Sequence, residues 1–342
     1  MAGLALLVGH QAVALAESPT SIFSTLSTPA HETNSIGLFV VIICTAIFAV
    51  VAALLGYAFW RFRAGNSDEH EPAQVFGSMQ IELSWTIIPV LIVVVLFLAT
   101  ARTLFSIQDA PKPANALNIT AVGHQYWWEY HYPEYGIVTA NELHIPVATG
   151  NGGRVTYIKL TSADVIHSFW VPQLGGKTDM LPNRVNEMWW DPQKAGVYVG
   201  QCGQYCGAQH AKMLLRVYVD TPEQFAAWVA GQRKQQTELV ADVVDSTSEA
   251  VNPSVGQKVF EQQSCINCHA VQGTVANGRF GPDLTHLMSR DTLGAGAIQN
   301  TPENLKAWVE DPQQFKPGCL MPAMHLTNKQ NLQITAYLQT LK

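Results

Sequence analysis

Two long apolar runs in the first third of the chain constrain its fold more than any other feature. Residues 36–60 contain no charged side chain over 25 positions, and residues 83–101 contain none over 19. The hydrocarbon core of a bilayer is about 30 Å thick, and about 20 helical residues cross it. Both runs therefore predict membrane-spanning helices, with a buried helix of a soluble protein as the alternative. That alternative fits the second run poorly because Pro89 would interrupt a soluble helix.

The distribution of charged residues gives further information on the orientation of these two spans and on possible partners. Arg61 and Arg63 directly follow the first run, which predicts a cytoplasmic connecting loop and outward-facing chain ends. Residues 1–16 are expected to be a signal peptide that ends in a small-residue cleavage site, although no Lys or Arg precedes Arg61. The net charge is −6 and no basic cluster suits nucleic acid, so no nucleic-acid partner is expected.

Three further parts follow a membrane hairpin at residues 17–105. Residues 106–234 contain short alternating apolar segments separated by Gly, Pro and Asn, a pattern that predicts an all-β sandwich or barrel. Residues 235–250 are polar and acidic and are expected to form a flexible linker. Residues 251–342 have a helical pattern. The sequence therefore predicts a multi-domain membrane protein.

A cluster of soft metal ligands lies between two predicted strands. It contains Cys202, Cys206, His210 and Met213, and thiolate, imidazole and thioether donors suit copper far better than magnesium or calcium. His167 offers a second imidazole, so two thiolates could bridge two copper ions with one terminal histidine on each. A disulfide between the two cysteines is the alternative, since an oxidising compartment favours disulfides. That alternative leaves Met213 and His167 without a role.

A second redox motif lies in the last part of the chain. Cys265, Cys268 and His269 have the C-x-x-C-H spacing that attaches haem c by two thioether bonds and one axial histidine. Zinc binding or a redox dithiol are the alternatives for this spacing. The sequence therefore predicts two redox centres in one polypeptide, which indicates electron transfer.

Two loops of the last part resemble those of class I cytochromes c, which are all-α proteins. These loops are residues 281–284 and residues 316–322. The resemblance implies that Met321, which precedes a proline, is the sixth iron ligand, with Met324 as its competitor. A His/Met pair keeps the iron potential high, as a donor to copper requires.

The copper cluster at residues 202–213 resembles the binuclear copper-A motif of cytochrome c oxidase subunit II. Four of the five motif positions match, and Gln204 stands where the family has Glu. The resemblance implies that this residue binds copper through its backbone carbonyl, which Gln also has. The family's carboxylate also helps to bind magnesium, so the amide of Gln204 leaves a magnesium site in doubt.

The resemblance covers roughly residues 30–230 and implies a cupredoxin-like Greek-key barrel. Further similar segments are residues 82–89, 123–128, 164–168 and 177–184. The implied copper-A ligands are His167, Cys202, Gln204 through its carbonyl, Cys206, His210 and Met213. Tyr126, Trp127 and Trp128 occupy the aromatic region through which electrons enter, with Tyr126 where the family has tryptophan. Glu82 is implied at the entrance of a proton path into subunit I.

The resemblance implies a subunit II of a haem–copper terminal oxidase with a fused cytochrome c domain. Electrons from a donor would reach haem c, then copper A, then subunit I, where oxygen is reduced to water with proton translocation. Implied partners are subunits I and III, a donor such as a cytochrome c or quinol–cytochrome c reductase, a copper chaperone, the haem c maturation system and the bilayer. The implied location is the bacterial plasma membrane, with both redox domains outside. The rivals are a nitrous oxide reductase and an anchored electron carrier without oxidase partners.

Overall fold

The computed structural model describes residues 18–63, 74, 76–234 and 251–342. The predicted signal peptide and linker lie outside these described residues. Two helices begin the described chain, α1 (Thr28–Arg61) and α2 (Met79–Gln108). Both are long and apolar enough to cross a membrane. With 34 and 30 residues, they are about 51 Å and 45 Å long and exceed the hydrocarbon thickness.

The N-terminal end of α1 and the C-terminal end of α2 contact the β-domain. Thr28 donates a hydrogen bond from its backbone N to Asp191 Oδ1 at 2.7 Å. Trp189 Nε1 donates to the carbonyl of Ile107 at 2.7 Å, near the end of α2. Hydrogen bonds at the N-terminal end of α1 and near the C-terminal end of α2 therefore attach the two helices to the domain that follows them.

Ten strands form the β-domain as two packed five-stranded sheets. They are β1 (Leu117–His124), β2 (Trp127–Tyr132), β3 (Ile137–Ala140), β4 (Glu142–Pro146), β5 (Thr156–Ser162), β6 (His167–Trp170), β7 (Thr178–Met180), β8 (Asn186–Trp190), β9 (Gly196–Cys202) and β10 (Leu214–Asp220). The first sheet has the order β3-β2-β1-β5-β8 and the second β4-β10-β9-β6-β7. Strands β1 and β5 pair in parallel, as do β4 and β10.

The core of the β-domain follows from alternation along its strands. Every second residue of β1 is buried, starting at Leu117, because successive side chains point to opposite faces of a sheet. Trp128, Phe169 and Trp190 fill the space between the sheets and are fully buried. This β-sandwich confirms the predicted cupredoxin-like class. Helix α3 (Pro222–Gln232) follows β10 and begins with a capping box between Thr221 and Gln224.

The cytochrome-like domain is built from four helices, α4 (Pro253–Gln262), α5 (Cys265–Cys268), α6 (Pro302–Glu310) and α7 (Asn328–Leu338). Helices α4 and α7 cross at Gly256, where a Cβ atom would lie 1.9 Å from the carbonyl oxygen of Gln333. The predicted helical class is confirmed, with one addition among the described residues. A short hairpin joins β11 (Thr292–Leu293) to β12 (Ile298–Gln299).

Candidate copper and haem sites

The sulfur-rich cluster forms at the end of the sandwich where β6 and β9 meet. Phe169 on β6 pairs with Cys202 at the end of β9, which brings His167 beside the loop between β9 and β10. The Cys202 Sγ atom lies 3.9 Å from His167 Nδ1 and 3.9 Å from Cys206 Sγ. A disulfide requires about 2.05 Å between sulfurs, so the two cysteines are free thiols here.

The remaining predicted donors complete the cluster. Cys206 Sγ lies 3.7 Å from His210 Nδ1 and 3.8 Å from Met213 Sδ. The carbonyl oxygen of Gln204 lies 3.1 Å from Cys202 Sγ. All six residues predicted as copper ligands therefore lie together, and all donor atoms face the two sulfurs. Two central thiols with two imidazoles, one thioether and one carbonyl around them fit a binuclear copper centre.

Proton sharing between the two thiols prepares the cluster for a metal. The hydrogen bond between the two sulfurs, with help from His167, lowers the pKa of Cys202 to about 3 against the effect of burial. The same hydrogen bond and burial raise the pKa of Cys206 above its ordinary value. The geometry of the cluster therefore favours ionisation of Cys202 over that of Cys206. Copper binds thiolates, so a bound metal would displace the protons of the thiols.

Asp164 orients the first histidine and was missed by the sequence analysis. His167 Nε2 donates to Asp164 Oδ1 at 2.8 Å, and this bond turns Nδ1 of the ring toward Cys202 Sγ. The same carboxylate accepts from the backbone N of Gln125 and of Val165, each at 2.6 Å. Burial raises the pKa of Asp164, but these hydrogen bonds outweigh it and lower the pKa below its usual value. A carboxylate three residues before a ligand histidine was the available signal.

An apolar cavity of about 420 Å³ lies beside α5, and it is lined by Cys265, Cys268, His269, Met321 and Met324. His269 Nδ1 lies 2.8 Å from the carbonyl oxygen of Pro282. A carbonyl only accepts, so Nδ1 carries the proton and Nε2 is free to bind a metal. Burial lowers the pKa of His269, which keeps the imidazole neutral.

The donors and the lining of this cavity fit haem c. A Cβ atom at Gly281 would lie 2.6 Å from Cε1 of His269, so the loop and the ring are in close contact. Gln313 Nε2 donates to the carbonyl of Met321 at 2.7 Å and holds that loop against the cavity. Both methionines line the cavity, so Met321 as sixth ligand stays a prediction.

The aromatic residues predicted to receive electrons separate into two positions. Tyr126 and Trp127 line the haem cavity, although they belong to the β-domain. Tyr126 Oη accepts from the backbone N of Ala208, in the copper loop, at 3.0 Å. Trp128 is fully buried behind them, and its ring lies edge-on to His167 with 6.0 Å between centroids. Gln125, which the sequence analysis missed, donates from Nε2 to the carbonyl of Cys206 at 2.6 Å.

Glu82 lies far from both clusters, in the first turn of α2. The helix rises about 1.5 Å per residue, so roughly 38 Å separate Glu82 from Ile107, near the C-terminal end of the helix. Glu82 therefore lies at the end of α2 that is remote from the β-domain.

The structure combines two membrane-type helices, a cupredoxin-like sandwich with a sulfur-rich ligand cluster and a cytochrome-like domain. This combination defines a class of protein. The protein is a membrane-anchored redox protein with two centres. Comparison with known protein families identifies the family to which each part of the chain is similar. The model for the cytochrome c oxidase subunit II transmembrane domain matches residues 19–102, and that for its periplasmic domain matches residues 152–219. The cytochrome c model matches residues 254–342.

Relatives of similar length carry the same name. Cytochrome c oxidase subunit 2 of Alkalihalophilus pseudofirmus is 35% identical over 307 residues, which cover 88% of this chain and 85% of the relative. The protein of that name from Bacillus sp. PS3 is 35% identical over 300 residues, 82% of this chain and 80% of the relative. A crystal structure of the periplasmic domain of subunit II of cytochrome oxidase from Bradyrhizobium japonicum is 33% identical, with a TM-score of 0.33, and covers 36% of this chain and 97% of its own. The chain belongs to the cytochrome c oxidase subunit II family and carries a cytochrome c domain.

Proposed function

We propose that this chain receives electrons for a haem–copper oxidase and passes them through two centres of its own. An external donor would reduce haem c, and the electrons would then reach binuclear copper A and the centres of subunit I. The observation that carries this proposal is the position of Tyr126. It lines the haem cavity and accepts a hydrogen bond from Ala208 in the copper loop. A single side chain therefore spans from one site to the other.

Each site has residues suited to hold its group. Cys265 and Cys268 would form the thioether bonds of one covalent haem c, and His269 and Met321 would hold its iron. When bound, the haem iron and the copper pair each supply a one-electron redox couple. The six-residue copper cluster is buried at its thiols, with Cys202 and Cys206 at 3% and 4% exposure. Low exposure limits the solvent rearrangement that a change of charge causes. Residue 204 is Gln, so an amide replaces the carboxylate that would help to bind magnesium.

The membrane part would dock on the catalytic subunit. In this proposal subunit I reduces oxygen to water and translocates protons, and this chain, with subunit III, assembles around it. Both redox domains face the outer side of the bacterial plasma membrane, where a cytochrome c or a quinol–cytochrome c reductase supplies electrons. Glu82, at the opposite end of α2, lies at the entrance of a proton path. A copper chaperone and the haem c maturation system would load the two sites.

The test is a comparison of two cysteine variants in the purified membrane complex. Cys202→Ser removes a bridging thiolate, since a hydroxyl does not bridge two copper ions as a thiolate does. We expect oxygen consumption to collapse while haem c is still reduced by the donor. Cys44→Ser is the matched control because Cys44 lies in α1, away from both sites. A mixed-valence copper signal that survives in Cys202→Ser would refute the copper assignment. A complex that lacks subunit I would favour the anchored carrier.

A further inference from the structure

Two buried charges of opposite sign lie at the contact between the β-domain and the cytochrome domain. Lys316, from the cytochrome domain, is 2% exposed, and Glu142, at the start of β4, is 3% exposed. Lys316 Nζ donates to the carbonyl of Tyr126 at 2.7 Å and to the carbonyl of Gly294 at 2.8 Å. The ammonium therefore joins a loop of its own domain to the backbone of the other.

Glu142 makes the reciprocal contact at β11. Its carboxylate accepts from the backbone N of Asp291 at 3.0 Å and from the backbone N of Thr292 at 2.9 Å. It also accepts from the hydroxyl of Thr292 at 2.8 Å. All three donors belong to the cytochrome domain. The hairpin that the all-α prediction omitted is therefore the element that receives this carboxylate.

The energetics of these contacts favour one fixed orientation of the cytochrome domain relative to the β-domain. A buried charge is costly unless hydrogen bonds compensate for it. Burial lowers the pKa of Lys316 to about 7, which reflects that cost. The partners of Lys316 and Glu142 are backbone groups and one hydroxyl, whose positions the fold determines. A general attraction between charged surfaces would allow many orientations, whereas these bonds form only in one.

The same contact supplies one wall of the haem cavity. Four residues of the β-domain line this cavity, opposite α5 and the loop that carries Met321 and Met324. They are Gln125, Tyr126, Trp127 and Asn141. Ala295 from the cytochrome hairpin is 1% exposed and packs within the apolar core of the β-domain. The haem pocket is therefore composite, with one wall supplied by the domain that holds the copper cluster.

We propose that Lys316 and Glu142 are positioning residues that lock the cytochrome domain onto the β-domain and complete the haem pocket. The chain then acts as one rigid unit with two centres, and the cytochrome domain does not move as a free carrier on residues 235–250. Tyr126 is the junction, since its carbonyl accepts from Lys316 and its hydroxyl accepts from Ala208. The benefit for electron transfer rests on the proposed function, but the lock itself does not.

The experiment tests the lock in the complete oxidase. A protease site is introduced within residues 235–250, the complex is cleaved, and the release of the 251–342 fragment is followed by gel filtration and haem absorbance. We expect the fragment to stay bound in the otherwise unchanged protein. Lys316→Met and Glu142→Gln should each speed release by about 10- to 100-fold, the usual effect of losing hydrogen bonds to a buried charge. Lys306→Met is the matched control, because the Lys306 side chain pairs with Glu310 of its own helix at the surface of α6.

The outcomes separate the lock from the function. Immediate release from the otherwise unchanged protein, or release equal to that of Lys306→Met in both variants, would overturn the lock. Since Glu142 lies in the other domain, Glu142→Gln tests the lock even where Lys316→Met disturbs the cytochrome fold. The haem c spectrum and the copper absorbance are recorded for each variant before cleavage. A retained fragment in an oxidase that works without reducing haem c would support the lock and refute the proposed electron path.

Discussion

Asp164→Asn should weaken copper binding although it removes none of the six ligand atoms. The carboxylate of Asp164 accepts from His167 Nε2 at 2.8 Å and so fixes both the proton and the orientation of the ring. Asparagine can still accept through Oδ1, but its amide group would face the backbone N–H of Gln125, which now donates to Oδ2 at 2.6 Å. The variant therefore loses the hydrogen bond from Gln125, and the charge in the two that remain, from His167 and Val165.

The structure sets the size of this effect. A hydrogen bond to a charged group contributes about 1.5–3 kcal/mol. His167 is fully buried, but the side chain of Asp164 is 28% exposed, so solvent screens part of its charge. We therefore expect the lower half of that range, about 1.5–2 kcal/mol, which corresponds to roughly 10- to 30-fold weaker copper affinity. Changes behind a metal ligand commonly weaken binding by about 10- to 100-fold.

The assay is chelator competition against the copper absorbance of the purified complex. Glu187→Gln is the matched control, since Glu187 is an exposed carboxylate on β8 of the same domain. The control should have a copper affinity within about twofold of that of the unchanged protein. The haem absorbance should stay normal in both variants. Unchanged affinity in Asp164→Asn, or an equal loss in Glu187→Gln, would refute the role given to Asp164.

Three further predictions concern the iron ligand, the proton path and the cytochrome domain. Met321→Leu should remove the methionine-to-iron charge-transfer band and lower the haem c potential, whereas Met324→Leu should leave both nearly intact; exchanged results would make Met324 the ligand. Glu82→Gln should slow turnover without changing either metal spectrum, and turnover at the normal rate would indicate a merely solvated carboxylate. Deletion of residues 251–342 should leave an assembled complex with intact copper A that oxidises soluble cytochrome c poorly and with strong dependence on salt. Unchanged turnover with the native donor would place haem c outside the main electron path.

The copper loop could be predicted because its chemistry is local in sequence. Five of the six proposed ligands lie within residues 202–213, between two strands, so spacing alone brings them together. His167 is distant in sequence, and it was predicted because a binuclear site needs a second imidazole and because residues 164–168 resemble a family segment. Asp164 lies in that same segment, yet its role depends on which ring nitrogen faces the sulfurs. That choice is set by three-dimensional packing and is not visible in the sequence.

Hydropathy predicts the apolar part of each membrane helix but not the residues at which the helix begins and ends. Hydropathy indicates residues 36–60 and 83–101, but the helices extend to Thr28–Arg61 and Met79–Gln108. The additional turns at the outer ends pack on the β-domain through polar contacts, and hydropathy does not report such contacts. The parallel pairing of β1 with β5 likewise joins distant segments, and strand patterns specify alternation rather than partners.

The contact between the two redox domains could not be predicted at all. Lys316 and Glu142 are charged, and charged residues are almost always exposed unless they are paired. Glu142 accepts from N–H groups of the other domain, and Lys316 donates to one carbonyl of the other domain and to one of its own. The partners in the other domain lie more than 140 positions away in the chain, so only the assembled structure reveals them.

The most direct test of the central claim follows a single electron within this chain. A photoexcited reductant, such as a ruthenium complex with a sacrificial electron donor, reduces haem c in the purified complex after a short light pulse, and absorbance is recorded at the haem and copper bands. Oxidation of haem c and reduction of the copper centre should share one first-order rate that does not depend on protein concentration, and Cys202→Ser should abolish this phase. A rate that rises with protein concentration, or an unchanged phase in Cys202→Ser, would contradict transfer from haem c to copper A within the chain.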